Sequence, residues 1–475
     1  MPFLRTEGTE VRLVWALCVD WFNPNQNKAA GKSISTGVIA MICLSLPPHL
    51  RTLEENIYLA GVIPGPREPT LDAINHFLLP LISDLQTAYD PGVYFTRTHE
   101  YLTGRKSKSI LIPVICDTMA SKKVTGNCGH GGQYFCSRCR LSRKEIDNLN
   151  ISSWPPGLSR KEHEELANAW KASTTATAQN AHVKAHGIRW SALLKLPYWL
   201  PSQWSITEGM HILLLGLVPR HCRDLLGLNV KDLPPGESEG ESPPEEAMDH
   251  GRRILDKGSY RSLRKLKMNV LKALCEENDT IIHCNEEPET SPIITKNNLL
   301  TIQRQILETI RPYWQAHLPQ NFGTPEHGKL KADQWRTAIE FDIPVSLVQL
   351  LATSSFPVGG ADHTRLRRIV EHTLDLAMAT SWGLSRRTSK YHAERYAFYM
   401  HRYLCTIKEL FPDYDLKPNH HYALHIQDIL LLFGPLHGTW AFSLERLIGR
   451  LQGMNTNGKI GAVVMNAIFF SLFPG

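Results

Sequence analysis

Two apolar runs near the start of the chain each stop at an aspartate. "VRLVWALCVD" ends at Asp20 and "KSILIPVICD" at Asp117. Both are rich in β-branched and apolar residues, too short for a core helix, and broken at once by polar or turn-forming residues. They read as buried strands, and near-continuous apolar runs belong in sheets covered on both faces. Between them, "SISTGVIAMICLSLPP" reads as one or two strands and "NIYLAGVIPGP" as another, closed by Pro and Gly. "TLDAINHFLLPLISDLQTAYD" then places Leu71, Ile74, Phe77, Leu78, Leu81, Ile82 and Leu85 at helical spacing. Thr70 is its expected cap and Pro80 a point of kinking. The order strand, strand, strand, helix, strand implies an α/β fold with an acid at the carboxyl end of two strands. Ligand and catalytic groups favour that location, although a lone aspartate there also serves as a helix or turn cap.

The rest of the chain is organised differently. Residues 118–190 are rich in Gly, Cys, His and Lys, and from about 200 to 440 the pattern is mainly helical. An acidic segment, "LPPGESEGESPPEEA", interrupts the helices and reads as a loop. Eight Lys/Arg against two Asp follow between Asp249 and Lys272. No repeat of about 20–50 residues is found.

Composition narrows the class. With 42% hydrophobic residues, eleven Trp and fourteen Tyr in 475 residues, the chain can bury a large core and is not a disordered polymer. A net charge of +6 permits a polyanionic partner without requiring one. Met1–Arg12 lacks the basic start and apolar stretch of a secretion signal, and no apolar run reaches the roughly 18–20 residues that span a bilayer. The expectation is an intracellular protein whose ten cysteines are free thiols or metal ligands. A Walker loop, a dinucleotide Gly fingerprint and a G-x-S-x-G elbow are all absent, which removes support for nucleotide, dinucleotide and serine-hydrolase chemistry.

Longer stretches carry a resemblance. "LCVDWFNPNQN" followed by "SLPPHLRTLEENIYLAGVIPGPREPTLDAINHFLLPLISDL" resembles the catalytic region of CACTA-type (En/Spm-like) DDE transposases, in particular the fungal forms. "HGIRWSALLKLPYWLP", "SITEGMHILLLGLVPRH", "FGTPEHGKLKADQWRT" and "FGPLHGTWAFSLERLIGRLQGMNTNGKIG" continue the likeness, so that it covers roughly residues 11–460. The resemblance implies a ribonuclease-H-like α/β core with a large, mainly helical insertion. In numbers, the first part of the core is expected at 11–125 and a Cys/His-rich segment with a zinc knuckle at 126–195. The helical insertion is expected at 196–435, with its acidic linker at 232–248, and a final core helix at 436–462. The chain begins about nineteen residues before Asp20 and ends soon after Glu445 in the apolar "GAVVMNAIFFSLFPG", so a truncated family member is expected.

The implied chemistry is two-metal phosphodiester hydrolysis and strand transfer at transposon ends, with Mg²⁺ or Mn²⁺ held by three carboxylates. Asp20 fits the first position, Asp117 the second, and Glu445 the third, 328 residues further on (445 − 117). Without the resemblance, Glu445 reads as a surface partner of a nearby arginine. Glu208 and His211 stand where the family has Asp-x-x-His; three apart, they would share one helix face as supporting residues. A histidine beside "ILLLGL" is otherwise an ordinary core residue. Cys136 and Cys139 make half of a zinc site. Cys128 is the expected third ligand, and among His130, His182 and His186 the last is preferred because it precedes the family-like "GIRWS". The alternative is a set of reduced, buried thiols. Arg252, Arg253, Arg261, Arg264, Lys265 and Lys267 are candidates for DNA-backbone contact, or a solvated charged face. The implied partners are transposon-end and target DNA and further copies of the chain for synapsis, in the nucleus, with no membrane. The rival expectation is a non-catalytic nucleic-acid-binding protein, decayed or domesticated, that uses the zinc knuckle and the basic helix.

Overall fold

The first apolar run forms β1, Val11–Phe22, and the second forms a strand parallel to it. A computed structural model describes residues 2–4, 10–23, 35–206, 208–228, 245–256, 270 and 294–453. Among them lies a mixed α/β fold built on one five-stranded sheet. Its strands are β1, β2 (Thr36–Cys43), β3 (Ile57–Ile63), β4 (Val93–Phe95) and β5 (Arg105–Val114), in the spatial order β3-β2-β1-β5-β4. β1–β2, β2–β3 and β4–β5 are antiparallel, and β1–β5 is the one parallel pair. A parallel neighbour needs a crossover, and the helix α1, Ile74–Tyr89, lies in that connection.

Burial follows the sequence pattern. Every residue of β2 is buried, whereas all three residues of the edge strand β4 are exposed. α1 turns Ile74, Leu78, Ile82 and Leu85 onto the sheet, where they join a core with Leu17, Val19, Ile39, Met41, Leu111 and Val114. That spacing keeps one stripe of the helix facing inward. One detail differs from expectation. Thr70 does not cap α1: its hydroxyl bonds Asp72 instead, and the helix begins at Ile74 behind Ala73. The "one or two strands" expected over 33–48 are the single strand β2, in keeping with that reading.

Buried Asn75 ties the start of α1 to a distant segment. Its amide donates to the Trp190 carbonyl and its oxygen accepts from Ala192 N–H at 2.7 Å. The segment around Gly187–Arg189 runs against 126–128, with Arg189 N–H bonded to Gly126 O and Cys128 N–H to Gly187 O. Gly126 has φ +76, and a Cβ there would meet the Arg189 carbonyl at 2.5 Å, so only glycine fits this turn.

By packing, the chain divides into two units. One comprises 1–220, 311–317 and 331–475; the other 221–310 and 318–330. Helices between Ala332 and Gly453 therefore pack with the sheet-bearing unit. Within it, Arg311 and Asp342 form an ion pair whose side chains are almost wholly buried. The second unit holds the helices Glu245–Asp256 and Lys296–Glu308, the latter capped by Thr295 and burying Ile302 and Ile306. Among the described residues, no helix is long and apolar enough to cross a membrane.

If α1 anchors the sheet, Leu78→Ala should destabilise the sheet-bearing unit by about 2–5 kcal/mol, the usual cost of emptying a fully buried leucine site. Urea unfolding followed by tryptophan fluorescence measures this, and a change below about 1 kcal/mol would refute the assigned packing.

Candidate functional site

The parallel pairing of β1 and β5 brings two acids into one electrostatic neighbourhood. Asp20 sits near the end of β1, opposite Val38 of β2, and its Oδ1 accepts from Trp21 N–H at 2.8 Å. β5 ends at Val114, and the chain stays beside β1 for another turn: Ile115 N–H bonds Leu17 O at 2.8 Å and Val19 N–H bonds the Cys116 sulfur. Asp117 follows, not in the strand but as the cap of helix α2, Thr118–Thr125; its Oδ1 accepts from Ala120 N–H at 2.6 Å. The capping role and proximity to Asp20 thus coexist, and both carboxylates are half-buried.

Glu208 supplies the next link. It lies just before a π-helix, Met210–Leu217, so it does not share a helical face with His211 as the spacing suggests. Its buried carboxylate instead closes over the helix start and takes four donors. Oε1 accepts from Met210 N–H at 3.0 Å and Ala441 N–H at 3.1 Å, and Oε2 from His211 N–H and His211 Nδ1, each at 2.8 Å. A buried carboxylate is tolerable when its lone pairs are filled in this way. The bond to Ala441 reaches across 233 residues to the start of the helix Phe442–Gly453, which carries Glu445 and packs against β1. His211 bridges the two acids: with Nδ1 on Glu208, its Nε2 lies 3.5 Å from Glu445 Oε1.

The titrations reflect one shared field. Burial pushes the Asp20 carboxyl up to about 6; Trp21 N–H pulls it down, the Asp117 and Glu445 charges raise it further, and His211 opposes them. Burial disfavours the His211 cation, but the Glu208 hydrogen bond and the charges of Glu208, Glu445 and Asp117 outweigh it and raise His211 to about 9. Beneath them the Cys18 thiol is pushed up to about 12 by burial, with the Asp20 and Glu208 charges adding. Asp20, Asp117, Glu208, His211 and Glu445 therefore share one electrostatic neighbourhood, although they come from four separate stretches of chain. Carboxylate oxygens are hard donors of the kind Mg²⁺ and Mn²⁺ take, so the donor chemistry of these side chains suits such a cation.

The cysteines resolve differently from expectation. Cys136 and Cys139 do lie together, but Cys128 and His186 do not join them. The Cys128 thiol donates to the Tyr134 carbonyl at 3.1 Å, and His186 faces the ring of His182. The antiparallel contact that brings Gly187 beside Cys128 turns both away from the C-x-x-C. The companions of the thiols are instead His421 and His425, with the four candidate donor atoms within 4.8 Å of one another and all four residues buried. The signal was present in the "HHYALH" stretch, where two histidines stand four apart, the spacing that aligns side chains along a helix. Their distance in sequence from the thiols hid it.

Of the basic candidates, Arg252 pairs with Glu245 and Asp249, and Arg253 bonds the Asp249 carbonyl. Arg261, Arg264, Lys265 and Lys267 lie outside the described residues.

The Glu208–His211 pair yields a pH test. A histidine raised to about 9 from 6.5 adds stability that is full below pH 6.5 and is lost as pH rises through 9, up to about 3 kcal/mol. The His211 ring should titrate near 9 by NMR, and Glu208→Gln should bring it down toward the ordinary imidazole range and flatten the alkaline loss of stability. A His211 midpoint that stays put in Glu208→Gln would refute the coupling.

No curated protein matches the chain. Over residues 1–154, about a third of its length, it matches a family described as "Transposase family tnp2", a span that contains Asp20, Asp117, Cys136 and Cys139, and this match supports reading the chain as a transposase-family protein.

Proposed function

We propose that the chain is a CACTA-like, DDE-type transposase-derived protein that cleaves and joins DNA at transposon ends, with Asp20, Asp117 and Glu445 as the metal-holding acids. One observation carries this reading. The third acid, 328 residues beyond the second (445 − 117), lies in the same charge field as Asp20 and contacts His211. Three antiparallel strands, a helix and a strand returning parallel to the first support a ribonuclease-H-like core, with acids after the first strand, after the parallel strand and on a late helix. The short β4 is an addition that makes the strand leading to Asp117 the fifth in sequence.

Asp20, Asp117 and Glu445 would hold two divalent cations. When bound, these supply an activated water or 3′ hydroxyl and neutralise charge on the leaving oxygen. The chain's own residues set the conditions. The strand and the capped helix hold Asp20 and Asp117 at rigid positions. The fully bonded Glu208 fixes the His211 ring, and His211 keeps a proton on Nε2 toward Glu445, orienting that carboxylate and offsetting the repulsion among the acids. Glu208 in place of the family's aspartate is compatible with this supporting role, because its oxygens are filled by backbone and imidazole donors rather than directed at substrate. DNA is the partner, the nucleus the site of action, and self-association for synapsis is part of the same proposal.

Purified chain, supplied with Mg²⁺ or Mn²⁺ and DNA carrying the flanking terminal repeats, should nick the DNA, with a rate that rises through pH 6 as Asp20 ionises. Asp20→Asn should abolish nicking while leaving the unfolding midpoint near that of wild type. Glu208→Gln should lower the rate about 10–100-fold, the range for residues that orient a metal ligand. Equal nicking by wild type and Asp20→Asn would defeat the proposal. DNA binding without any nicking would favour the non-catalytic binder.

A further inference from the structure

We propose that Cys136, Cys139, His421 and His425 bind one zinc ion in a closed tetrahedral site, and that this ion clamps the segment after Asp117 to the segment before Glu445. The inference stands whether or not the chain cleaves DNA.

The geometry is that of a zinc centre. For Zn–S near 2.3 Å and Zn–N near 2.05 Å, the edges of the tetrahedron are about 3.3–3.8 Å. Cys139 Sγ lies 3.3 Å from His421 Nε2, and His421 Nε2 lies 3.3 Å from His425 Nε2. Two ring nitrogens and a sulfur that converge in a buried space are mutually repulsive or poorly satisfied as neutral groups. A shared cation removes that conflict. The donor set, two sulfurs and two imidazoles, selects a borderline-soft ion over Mg²⁺. Four protein ligands leave no position for water, so the role is structural.

The surroundings are built for the same purpose. Arg138 N–H points at the Cys136 sulfur, 3.3 Å away, as a turn that wraps a thiolate requires. His425 Nδ1 lies 3.5 Å from Asp428, which also faces Arg138 at 3.7 Å, so the carboxylate orients the ring whose other nitrogen points at the thiols. Trp154 stacks on His421 at 4.4 Å and Phe135 meets its ring edge-on at 4.9 Å, walling off solvent.

The site also sits between the two halves of the acid cluster. Cys136 is 19 residues after Asp117 (136 − 117) and His425 is 20 residues before Glu445 (445 − 425). On one side the Phe135 carbonyl accepts from buried Lys122 of α2 at 2.7 Å, the helix that Asp117 caps. On the other it accepts from the Tyr422 hydroxyl at 2.9 Å, next to His421. Zinc there would cross-link these tethers.

Full-length chain purified with zinc in the medium should contain stoichiometric zinc by mass spectrometry, and replacement by Co²⁺ should give thiolate-to-cobalt charge-transfer bands and tetrahedral d–d absorption. Cys139→Ser and His425→Ala should lose the metal, whereas the double variant Cys128→Ser/His186→Ala should retain it. Because Cys139→Ser risks misfolding, the cobalt spectra of wild type and of that double variant decide independently of it. Zinc-free wild-type protein would overturn the proposal. So would an octahedral cobalt spectrum without thiolate bands, or loss of metal in the Cys128/His186 double variant. DNA nicking is not a readout, so its failure leaves this result untouched.

Discussion

The parallel alignment of β1 with β5 is the constraint on which the site depends. A parallel neighbour forces the chain to leave the sheet and return, and α1 lies on that excursion. The return brings the exit of β5 alongside the end of β1, where Ile115 and Cys116 continue the pairing past the last regular residue. Two aspartates 97 residues apart (117 − 20) thereby come into one electrostatic neighbourhood. An antiparallel return would have delivered the second acid to the opposite end of the sheet.

Gathering acids costs energy, and the structure offsets it locally. Asp20 alone is pushed up to about 6 by burial and neighbouring charge. Glu208 is better buried but accepts from three backbone N–H groups and an imidazole, so its charge is matched by donors that need no further ordering. One of those donors belongs to Ala441, and the carboxylate is consequently a joint between the π-helix and the helix bearing Glu445. The same contact that solves a desolvation problem thus fixes where the last acid stands. His211 then carries positive charge into a cluster of negative ones, which moderates their mutual repulsion.

Much of this was legible in the residues. Apolar runs ended by aspartate marked the sheet and two of its acids because strand burial leaves a period and composition that a short window reveals. Local chemistry was less reliable. Thr70 looked like a cap, yet its hydroxyl found Asp72 and the helix began later. Glu208 and His211 do touch, but not through the shared helical face that their spacing implies: the glutamate stands before the helix and folds over it. The least legible features were those that depend on chain-distant contacts. Cys128 and His186 were near the C-x-x-C in sequence, but their contacts lie elsewhere, and His421, which meets Cys139, lies 282 positions downstream. Proximity in sequence is a poor guide to spatial neighbours whenever a long stretch of chain intervenes.

A separation of that size raises a mechanical question. If the acids from two ends of a chain must stay within the same field, the long intervening segments cannot be left to hold their ends by loop closure alone, since closure entropy grows with length. The chain places its cross-connections where that cost is concentrated. Glu208 bonds Ala441, Phe135 is held from both Lys122 and Tyr422, and the thiols face His421 and His425. Each connection joins the early acid-bearing half to the late one within about 20 residues of an acid, so a displacement in the intervening helices is not transmitted undiminished to the carboxylates. Local tethers of buried groups, as well as the sheet, hold the acid-bearing segments together.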